Sequence, residues 1–351
     1  MHVKFLPFLA DPVTRTQLQL TVLKAHGDQV LEGTLTSERG TTYPIVRGVP
    51  HFVPDAVART YIDTFSYQWS KWSRVQFESE NRGRVMEGHT RRMWERITGI
   101  RDEQLNGAVI AEFGCGSGRF IEVVRNKGGR VIGLDMSEAV EAARESFEGD
   151  TDVLICQADV LAPPLAPDSL DGAFSIGVLH HTPDPLRGFR EIVKAVRPGG
   201  WVAVSVYGKG GYYDWSTVRF YRRIFQALWP LLGPRAPLAY SWFAAYVLGP
   251  LSYIPVLGLL LRAALPFVRL PDARWSFLDT FDSVTPKYQS AHESFEVFQW
   301  FRQNGLRDIA PSDWGFTAYH GIRVPGQVAV EAERGEAGAG RAGTRGVVGD
   351  G

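Results

Sequence analysis

Glu112-Phe-Gly-Cys-Gly-Ser-Gly118 is the stretch of this sequence that decides the fold. It overlaps the end of a short apolar run, residues 108–113, whose length and composition predict a buried strand. The segment that follows, residues 118–128, has a helical pattern that the pair Gly128-Gly129 ends. A strand, a glycine-rich turn and a helix in this order predict the first unit of a parallel sheet. A ligand-binding loop is then expected at the carboxyl end of the first strand.

More strand patterns follow along the chain, with amphipathic helical patterns behind several of them. They lie at residues 130–135, 152–159, 170–181 and 201–207, and two final ones lie at residues 306–311 and 316–324. Strands that alternate with helices in this way predict an α/β fold. We expect a Rossmann-like, doubly wound, mostly parallel seven-stranded sheet, with a small N-terminal β unit and a helical cap insertion.

Changes in composition divide the chain into six segments. Short β-like runs dominate the N-terminal part, and Trp, Tyr, Phe and Leu dominate the insertion after the fifth predicted strand. The last 21 residues contain seven glycines and are predicted to be disordered. The predicted segments are the β unit 1–54, a helical lead-in 55–105, the core 106–207, the cap 208–285, the completion of the core 286–330 and the tail 331–351.

Length, charge and cysteine content narrow the class of protein. The 351 residues balance 38 Lys and Arg against 38 Asp and Glu, so no electrostatic footprint for nucleic acid stands out. Cys115 and Cys156 give no disulfide framework and suit a reducing compartment. The apolar run in residues 1–7 is too short for a signal peptide. We expect a cytoplasmic protein that is a monomer or a homodimer and has no nucleic acid partner.

Residues 236–261 form a run of 26 residues without a charged side chain. The run is longer than the roughly 20 residues that a helix needs to cross a bilayer. Pro237, Pro250 and Pro255 interrupt it, which favours a buried helical cap over a spanning segment. A third interpretation is a patch that contacts lipid at the membrane surface, so peripheral membrane association through this run stays open.

The spacing within the glycine loop excludes two common phosphate-binding patterns. Gly114, Gly116 and Gly118 follow G-x-G-x-G, whereas a dinucleotide fingerprint needs G-x-G-x-x-G and a P-loop ends in Gly-Lys-Ser/Thr. Glu112 would repel a phosphate and would favour a cation, and no lysine nearby compensates its charge. Glycine also permits close approach of a ligand to the backbone. The loop therefore predicts a ligand that carries an ammonium and a sulfonium group.

Two further acidic residues stand at successive strand ends. Asp135 ends the second predicted strand, where its carboxylate can accept hydrogen bonds from two ribose hydroxyls. Asp159 ends the third, where it can accept from an adenine amino group while the amide of Val160 serves a ring nitrogen. Any one of these acids is also explained as a turn or cap residue. Together with Glu112 they form a pattern of three carboxylates at three strand ends.

Residues 111–207 carry motifs of a known family. They are E-x-G-C-G-S-G-R-F at 112–120, the strand end at Asp135, Ala158-Asp159, SIGVLHHTPDP at 175–185 and VRPGGWVAVSVY at 196–207. This combination resembles class I S-adenosylmethionine-dependent methyltransferases of the UbiE and methyltransferase-11 type.

The resemblance implies S-adenosylmethionine as cofactor, S-adenosylhomocysteine as product and no metal. It implies that the loop around Glu112 surrounds the methionine part, that Asp135 holds the ribose, and that Asp159 and Val160 hold the adenine. The cofactor-binding residues that it implies are Glu112, Gly114, Cys115, Gly116, Gly118, Asp135, Met136, Asp159, Val160 and Gly177.

Residues 1–54 resemble the short zinc-ribbon-like domain of the Trm112 type. That type carries CPxC, a second cysteine pair and Tyr-Pro-Ile-Val-x-Gly-Ile-Pro, and this chain keeps the last motif at residues 43–50. Residues 11–14 (Asp-Pro-Val-Thr) stand where the first pair would be, and Thr36 and Arg39 stand near the second. Tetrahedral zinc binding is not expected without thiolates. We expect a structural unit without metal.

Histidine and tyrosine side chains supply the candidate catalytic groups. His180 and His181 follow the fourth predicted strand, and a neutral imidazole there suits deprotonation of a hydroxyl or amine. Alternatively, the pair only shapes the loop. Tyr207 ends the fifth strand on the same rim. Tyr288 and His292 precede the last helix and are candidate substrate-binding residues, with a core tyrosine and a helix-start histidine as alternatives.

Other side chains have simpler explanations. Cys115 is interpreted as a small filler of the loop, because no second thiolate accompanies it to bind a metal. Tyr61, Phe65 and Trp69 lie at i, i+4 spacing on one face of a predicted helix. This stripe fits either core packing or closure over a substrate.

These observations predict methyl transfer to a hydroxyl or amine of a small, partly hydrophobic molecule. A secondary metabolite, a saccharide or a lipid-linked acceptor would fit, and the apolar insertion is the expected lid and acceptor pocket. Three alternatives stay open: an RNA methyltransferase, an enzyme that binds the sulfonium cofactor for other chemistry, and a catalytically silent binding partner. The neutral net charge argues against RNA.

Overall fold

The structure, a computed structural model, describes residues 1–53, 68–69, 71–314 and 317–325. Tyr61, Phe65 and the predicted tail lie outside the described residues. The strands are β1 (Gln19–His26), β2 (Gln29–Thr36), β3 (Thr42–Val46), β4 (Val49–Pro50), β5 (Val109–Phe113), β6 (Arg130–Asp135), β7 (Val153–Gln157), β8 (Leu170–Ile176), β9 (Val196–Val206), β10 (Leu306–Pro311) and β11 (Thr317–Arg323).

Helices connect the strands and build the cap. They are α1 (His89–Thr98), α2 (Arg119–Arg125), α3 (Ala139–Ser146), α4 (Pro185–Ala195), α5 (Ser216–Leu232), α6 (Arg235–Phe243), α7 (Pro255–Ala264), α8 (Ala273–Val284) and α9 (Ser294–Gln303). A π-helical turn, Ala244–Leu248, and a short helical turn, Gly249–Leu251, continue α6. Turns of 3₁₀ helix lie at Val3–Phe8, Ser79–Asn81, Asp102–Gln104, Leu179–His181 and Tyr212–Asp214.

The larger sheet has the strand order β10-β11-β9-β8-β5-β6-β7. Strands β5 to β9 pair in parallel, and β11 pairs antiparallel with both β9 and β10. The strand order reverses between β5 and β8, which opens a crevice at the carboxyl ends of these two strands. The predicted doubly wound, mostly parallel seven-stranded sheet is confirmed.

Both faces of this sheet are packed, so its central strands are mostly apolar, with Glu112 near the carboxyl end of β5 as an exception. Every residue of β5 and β7 is buried. Alternate residues of β5 enter different core clusters: Val109, Ala111 and Phe113 pack on one face, and Ile110 packs on the other. The central strands are thus fixed from both sides, and their carboxyl ends form a rigid base for the crevice.

The N-terminal strands form a separate antiparallel sheet in the order β1-β2-β3-β4, as predicted for the small β unit. The chain after β4 continues along the open edge of β7, where the amide of Phe52 donates to the carbonyl oxygen of Gln157 at 2.8 Å. Side chains of both sheets share one core cluster, which includes Tyr43 and Leu154. The small sheet therefore covers the edge of the larger one.

A buried carboxylate organises this small sheet. Asp11 accepts hydrogen bonds from the amides of Val13 and Thr14 at 2.9 and 2.7 Å and from the hydroxyl of Tyr43 at 2.8 Å. Burial acts to raise the pKa of Asp11, but these hydrogen bonds outweigh it and lower that pKa. The turn at which the Trm112 type would carry its first cysteine pair is therefore closed here by hydrogen bonds to a carboxylate.

The cap follows β9 and has two layers. Helix α8 is mostly buried, and α5, α6 and the π-helical turn pack against it. Prolines divide the uncharged run, since Pro255 begins α7 and Pro250 lies in the short helical turn before it. No helix in the described part of the chain combines the length and the apolar character needed to cross a membrane. The six segment boundaries themselves stay a prediction.

Replacing Tyr43 by Phe tests the contribution of the Asp11 hydrogen bonds. The variant leaves one buried acceptor position of Asp11 without its hydroxyl donor, so we expect the free energy of unfolding in urea near pH 7 to fall by about 1 kcal/mol. Tyr253→Phe is the matched control, because the Tyr253 side chain is exposed. Equal stability of the parent and Tyr43→Phe would show that this hydrogen bond does not hold the sheet.

Candidate active site

A cavity of about 930 Å³ lies at the carboxyl ends of β5, β6, β7 and β8. The loops after these strands form one wall, and α8 with residues 262–270 of the cap forms another. Trp69, Gln76 and His89, from the segment before β5, close a third side. The volume is at the upper end of the range for ligand pockets. Two ligands side by side would fit such a space.

Glycine is required at two positions of the loop after β5. Gly114 and Gly116 have φ angles of 83° and 52°, in the left-handed region that favours glycine. A Cβ atom at Gly114 would lie 2.3 Å from the Val178 side chain, and one at Gly116 would lie 3.3 Å from Nε1 of Trp69. Any larger side chain would push the cavity wall out of place.

Asp135 joins this loop to the end of β6. Its Oδ2 accepts the amide hydrogen of Gly116 at 2.8 Å, and its Oδ1 accepts from the amide and hydroxyl of Ser137 at 2.8 and 2.6 Å. Burial raises the pKa of Asp135, and these three hydrogen bonds offset part of the rise. Oδ2 keeps one lone pair for a ligand, because a carboxylate oxygen can accept two hydrogen bonds.

Glu112 is 2% exposed and lines the cavity beside the loop. Its Oε2 atom has no hydrogen-bond partner within the described residues. Burial raises the pKa of Glu112 well above its usual value, and the nearby Arg119 guanidinium offsets part of that rise. A buried acceptor without a partner is costly. A cationic donor bound in the cavity would satisfy it.

The residues predicted to hold an adenine also line the cavity. Asp159 is fixed by the amide of Leu161, which donates to its Oδ1 at 2.8 Å. Met136, Val160 and Gly177 lie in the same wall. A Cβ atom at Gly177 would meet nothing within 4 Å, so the space beside this residue is open.

Cys115 is a packed side chain at the edge of the cavity. Its thiol is buried and lies 3.7 Å from the carbonyl oxygen of Gly116. Burial, together with the nearby charges of Asp135 and Glu112, raises the pKa of the thiol well above its usual value. A protonated thiol is a poor nucleophile and a poor metal ligand. Among the described residues, no group of three His, Cys, Asp or Glu is arranged to hold a metal ion.

His181 lines the cavity, and a hydrogen bond to the carbonyl oxygen of Tyr288 fixes its tautomer. Nδ1 lies 2.9 Å from the carbonyl oxygen of Tyr288, which can only accept, so Nδ1 carries the hydrogen and Nε2 carries the lone pair. Burial lowers the pKa of His181, and the charge of Asp282 and the Tyr288 hydrogen bond offset part of that decrease. The side chain is therefore a neutral imidazole with a basic Nε2.

The other candidate rings are stacked behind His181. Tyr207 lines the cavity and donates its hydroxyl to Oδ2 of Asp282 at 3.2 Å, while its ring stacks on Tyr213 with 3.9 Å between centroids. The His180 ring also packs on the Tyr207 ring, with 3.6 Å between the two centroids. It is buried outside the cavity wall, and burial lowers its pKa well below the usual value. The structure does not bring His180 to the cavity.

Tyr288 and His292 also lie outside the cavity wall. The segment that contains them runs behind the His180–His181 turn, where the amide of Ser290 donates to the carbonyl oxygen of His180 at 2.9 Å. The His292 ring is within hydrogen-bond distance of the Ser290 hydroxyl and of Glu296, at 2.8 and 2.9 Å. The His292 ring is therefore engaged within its own segment, away from the cavity wall. The segment contributes to the site through the carbonyl oxygen of Tyr288, which accepts the hydrogen bond from Nδ1 of His181.

Of two further predicted site residues, Gly118 and Trp69, only Trp69 lies in the cavity wall. Gly118 does not line the cavity; it precedes α2, and a Cβ atom there would lie 2.6 Å from Phe147. Trp69 does line the cavity, so the part of the predicted aromatic stripe that the structure describes faces the site.

Helix α8 adds two carboxyl groups that the sequence patterns did not reveal. Asp279 and Asp282 stand three residues apart, which places them on one side of the helix, and both line the cavity. Nε2 of Gln76 donates to Asp279 at 3.2 Å, and Oε1 of Gln76 accepts from Arg119 at 2.5 Å. Burial raises the pKa of Asp279 to about 7, against the opposing effect of Arg119. Two acids three residues apart in an insertion with few charged residues were the available signal.

Comparison with known proteins identifies the central part of the chain. Residues 111–204 match the family model of methyltransferase 11, described as a methyltransferase domain. The match extends from β5 into β9 and covers less than half of the chain.

The curated relatives are similar over this domain only. The mouse tRNA (carboxymethyluridine(34)-5-O)-methyltransferase ALKBH8 is 31% identical over 134 residues, 37% of this chain and 19% of that protein. The ubiquinone biosynthesis O-methyltransferase of Pseudomonas fluorescens (strain SBW25) is 31% identical over 113 residues, 31% of this chain and 49% of that protein. A solved S-adenosylmethionine-dependent methyltransferase from Mesorhizobium loti is 31% identical, with a TM-score of 0.30, over 36% of this chain and 55% of that one.

This chain thus spans less than half the length of either curated relative. One relative is named for a tRNA and the other for ubiquinone biosynthesis, so the comparisons do not separate an RNA from a small-molecule acceptor. The resemblance of residues 1–54 to the Trm112 type is not confirmed by them and stays a prediction. The roles of the individual site residues stay predictions as well.

Asp279→Asn tests the environment of the cap carboxyl group. The pKa of Asp279 is raised to about 7 in the folded chain, whereas an aspartate in the unfolded chain titrates near 3.9. Between these values the folded chain binds more protons, so this group lowers the stability of the parent as the pH rises. We expect the variant to gain on the order of 2 kcal/mol over the parent between about pH 5 and pH 8, from urea unfolding.

Asp308→Asn is the matched control, because the Asp308 side chain is exposed and lies outside the cavity. It should leave the pH dependence of stability unchanged. A constant difference between Asp279→Asn and the parent across this pH range would contradict the raised pKa.

Proposed function

We propose that this protein transfers a methyl group from S-adenosylmethionine to a hydroxyl or amine of a small, partly hydrophobic acceptor. The observation that carries the proposal is the buried Glu112 carboxylate, whose Oε2 has no partner within the described residues, in a cavity that also contains His181. The methyltransferase domain at residues 111–204 supports the same donor.

The residues present fit the donor. Oε2 of Glu112 would accept from its ammonium group, and Gly114 and Gly116 leave room for its amino acid part beside the backbone. Asp135 would use the free lone pair of Oδ2 for a ribose hydroxyl, and Asp159 would accept from the adenine. When bound, the cofactor supplies an electrophilic methyl group on a sulfonium.

The acceptor side is formed by His181 and the carboxyl groups of α8. His181 would take the acceptor proton on Nε2, because Nδ1 is engaged by the Tyr288 carbonyl oxygen. The charge of Asp282 favours the imidazolium that results, and the Tyr207 hydroxyl holds Asp282 in place. Holding the acceptor in line with the methyl group supplies most of the rate, and the base adds a smaller factor.

The cap part of the wall suggests the class of acceptor. It is aromatic and aliphatic, with Tyr212, Phe267, Leu270 and Trp275 among its side chains. Such a surface binds the apolar body of a ligand, while a few polar groups fix its orientation. A partly hydrophobic molecule that carries one hydroxyl or amine near His181 fits this division.

RNA is the second candidate acceptor, because one relative is named for a tRNA. Two observations weigh against it. The chain has no net positive charge, and the wall on the acceptor side carries the carboxyl groups of Asp279 and Asp282 as well as Arg262 and Arg269, so it is not a basic surface. Phosphate binding by proteins depends on lysine and arginine. We therefore favour the small molecule.

Calorimetry with two ligands tests the role of Glu112 separately from the role of Asp135. S-adenosylhomocysteine has an amino acid part and an adenosine part, whereas methylthioadenosine lacks the amino acid part. Glu112→Gln should weaken binding of S-adenosylhomocysteine about 10-fold or more, because a charge-assisted hydrogen bond is lost, and should leave methylthioadenosine unchanged. Asp135→Asn should weaken both ligands.

The pH dependence provides a second check on Glu112. Its pKa is raised by burial, and the ammonium group prefers the ionised carboxylate, so binding of S-adenosylhomocysteine should strengthen as the pH rises. The Glu112→Gln variant should lose this dependence. A parent protein that binds neither ligand would rule out the cofactor assignment, and equal losses for both ligands in Glu112→Gln would rule out the role of Glu112.

Transfer of labelled methyl groups tests the acceptor class. The protein is incubated with methyl-labelled S-adenosylmethionine and either the lipid, the water-soluble small-molecule or the RNA fraction of a cell extract. We expect label in a small-molecule fraction, and a rate about 100-fold lower for His181→Asn, since a general base contributes about 10²–10⁴-fold. Asp308→Asn is the control and should match the parent.

The other outcomes distinguish the alternatives. Label in the RNA fraction would replace the small molecule by RNA as the acceptor. A protein that binds S-adenosylhomocysteine but labels no fraction would favour non-methylating chemistry or a silent binding partner.

A further inference from the structure

Large apolar side chains are concentrated on the outside of the cap. Of the nineteen that are exposed in the described part of the chain, thirteen lie between residues 215 and 260. We call these thirteen the cap surface; Trp215, Trp242, Tyr253, Val256, Leu259 and Leu260 are among them. Exposed apolar side chains concentrated in one region of a protein mark a candidate interaction site.

The packing of α7 holds part of the cap surface outward. A Cβ atom at Gly258 would lie 2.1 Å from the carbonyl oxygen of Ser252, so the helix is packed on its Gly258 side. At about 100° per residue, Val256 and Leu260 lie on the opposite side of the helix, and Leu259 lies beside them. These three side chains are 73%, 61% and 66% exposed. Their exposure therefore follows from a close backbone contact that glycine alone permits.

The charge of the same region has one sign. Residues 215–271 contain six arginines and no aspartate, glutamate or lysine, although the whole chain has zero net charge. Arg223, Arg235 and Arg262 are exposed and form no ion pair within the described residues. Apolar and aromatic side chains beside unpaired cationic ones are characteristic of segments that bind the surface of an anionic bilayer.

We propose that the cap surface docks on an anionic lipid bilayer. The apolar side chains would enter the boundary between headgroups and acyl chains, with Trp242 and Tyr253 at the level that amphipathic rings prefer. Arg223, Arg235 and Arg262 would face the lipid phosphates.

A second copy of this chain fits the cap surface less well. A symmetric dimer brings the same patch of both subunits together, so the unpaired arginines of one subunit would approach those of the other. Juxtaposed like charges oppose association. An anionic bilayer instead supplies the charge that the cap lacks.

The cavity opens beside the cap surface. Trp215 and Arg262 both line the cavity and are both exposed. Docking would therefore place the mouth of the cavity at the bilayer, and, if the proposed function holds, a lipid-like acceptor would enter from there. The docking itself is independent of methyl transfer.

Co-sedimentation of the full chain with vesicles tests the docking without any methyl donor. Vesicles of phosphatidylcholine alone are compared with vesicles that contain about one third phosphatidylglycerol. We expect binding to the anionic vesicles, at least about 10-fold weaker binding to the neutral ones, and loss of binding as salt is raised. Absence of sedimentation with anionic vesicles at low salt would overturn the proposal.

Two double variants locate the contact. Leu259→Glu with Leu260→Glu should weaken binding to anionic vesicles at least 10-fold. Val22→Glu with Leu23→Glu makes the same change of charge at exposed positions of β1 and should retain binding. Urea unfolding establishes that both variants are folded. Equal losses in the two would show that net charge, and not the cap surface, controls binding, which would overturn the proposal.

Light scattering tests whether the cap surface binds a second copy of the chain instead of lipid. We expect the oligomeric state of the parent to be unchanged in the Leu259→Glu, Leu260→Glu variant. A dimer that this variant alone converts to monomers would assign the cap surface to a second copy and would overturn docking on lipid.

Discussion

The hydrogen bond from the Gly116 amide to Asp135 is the contact on which the candidate site depends. It joins the loop that leaves β5 to the end of β6 at 2.8 Å, and those two ends are neighbours because β5 and β6 pair in parallel. The left-handed conformation of Gly116 is part of this arrangement. Without the bond, a buried amide and a buried carboxylate would both lose a partner, and the cavity wall would lose its fixed position.

Burial then sets the electrostatics of the groups placed in this way. It raises the pKa values of Glu112, Asp135 and Asp279, because the ionised carboxylates are poorly solvated there. A bound cation would stabilise the ionised forms. Arg119 is a partly buried cation whose charge acts on both Glu112 and Asp279. It affects Glu112 directly and reaches Asp279 through Gln76, so the strand ends and the cap share one charge network. A ligand at one end of the cavity therefore changes the field at the other.

The strand ends were predictable from the sequence, whereas the cap side of the site was not. Glu112 and Asp135 follow apolar runs, and parallel strands bring their carboxyl ends to one edge, so a local pattern is enough to place them. Asp282 reaches Tyr207 across 75 positions of sequence, and only the packing of α8 brings the two together. Tyr288 and His292 were predicted beside the cavity, but neither lines it: the Tyr288 carbonyl oxygen contacts Nδ1 of His181, and the His292 ring contacts Ser290 and Glu296.

The insertion is rich in apolar residues along its whole sequence, but its helices have different surroundings. Eight of the twelve residues of α8 are buried, and two of the other four, Asp279 and Asp282, face the cavity. In α7 only Gly258 is fully buried, although the helix has a single charged residue, Arg262. An apolar helix is stable in water when neighbours cover it. Helix α8 meets that condition within the chain, whereas Val256, Leu259 and Leu260 of α7 are not covered by the described residues, and this difference is the reason for proposing a bilayer as their partner.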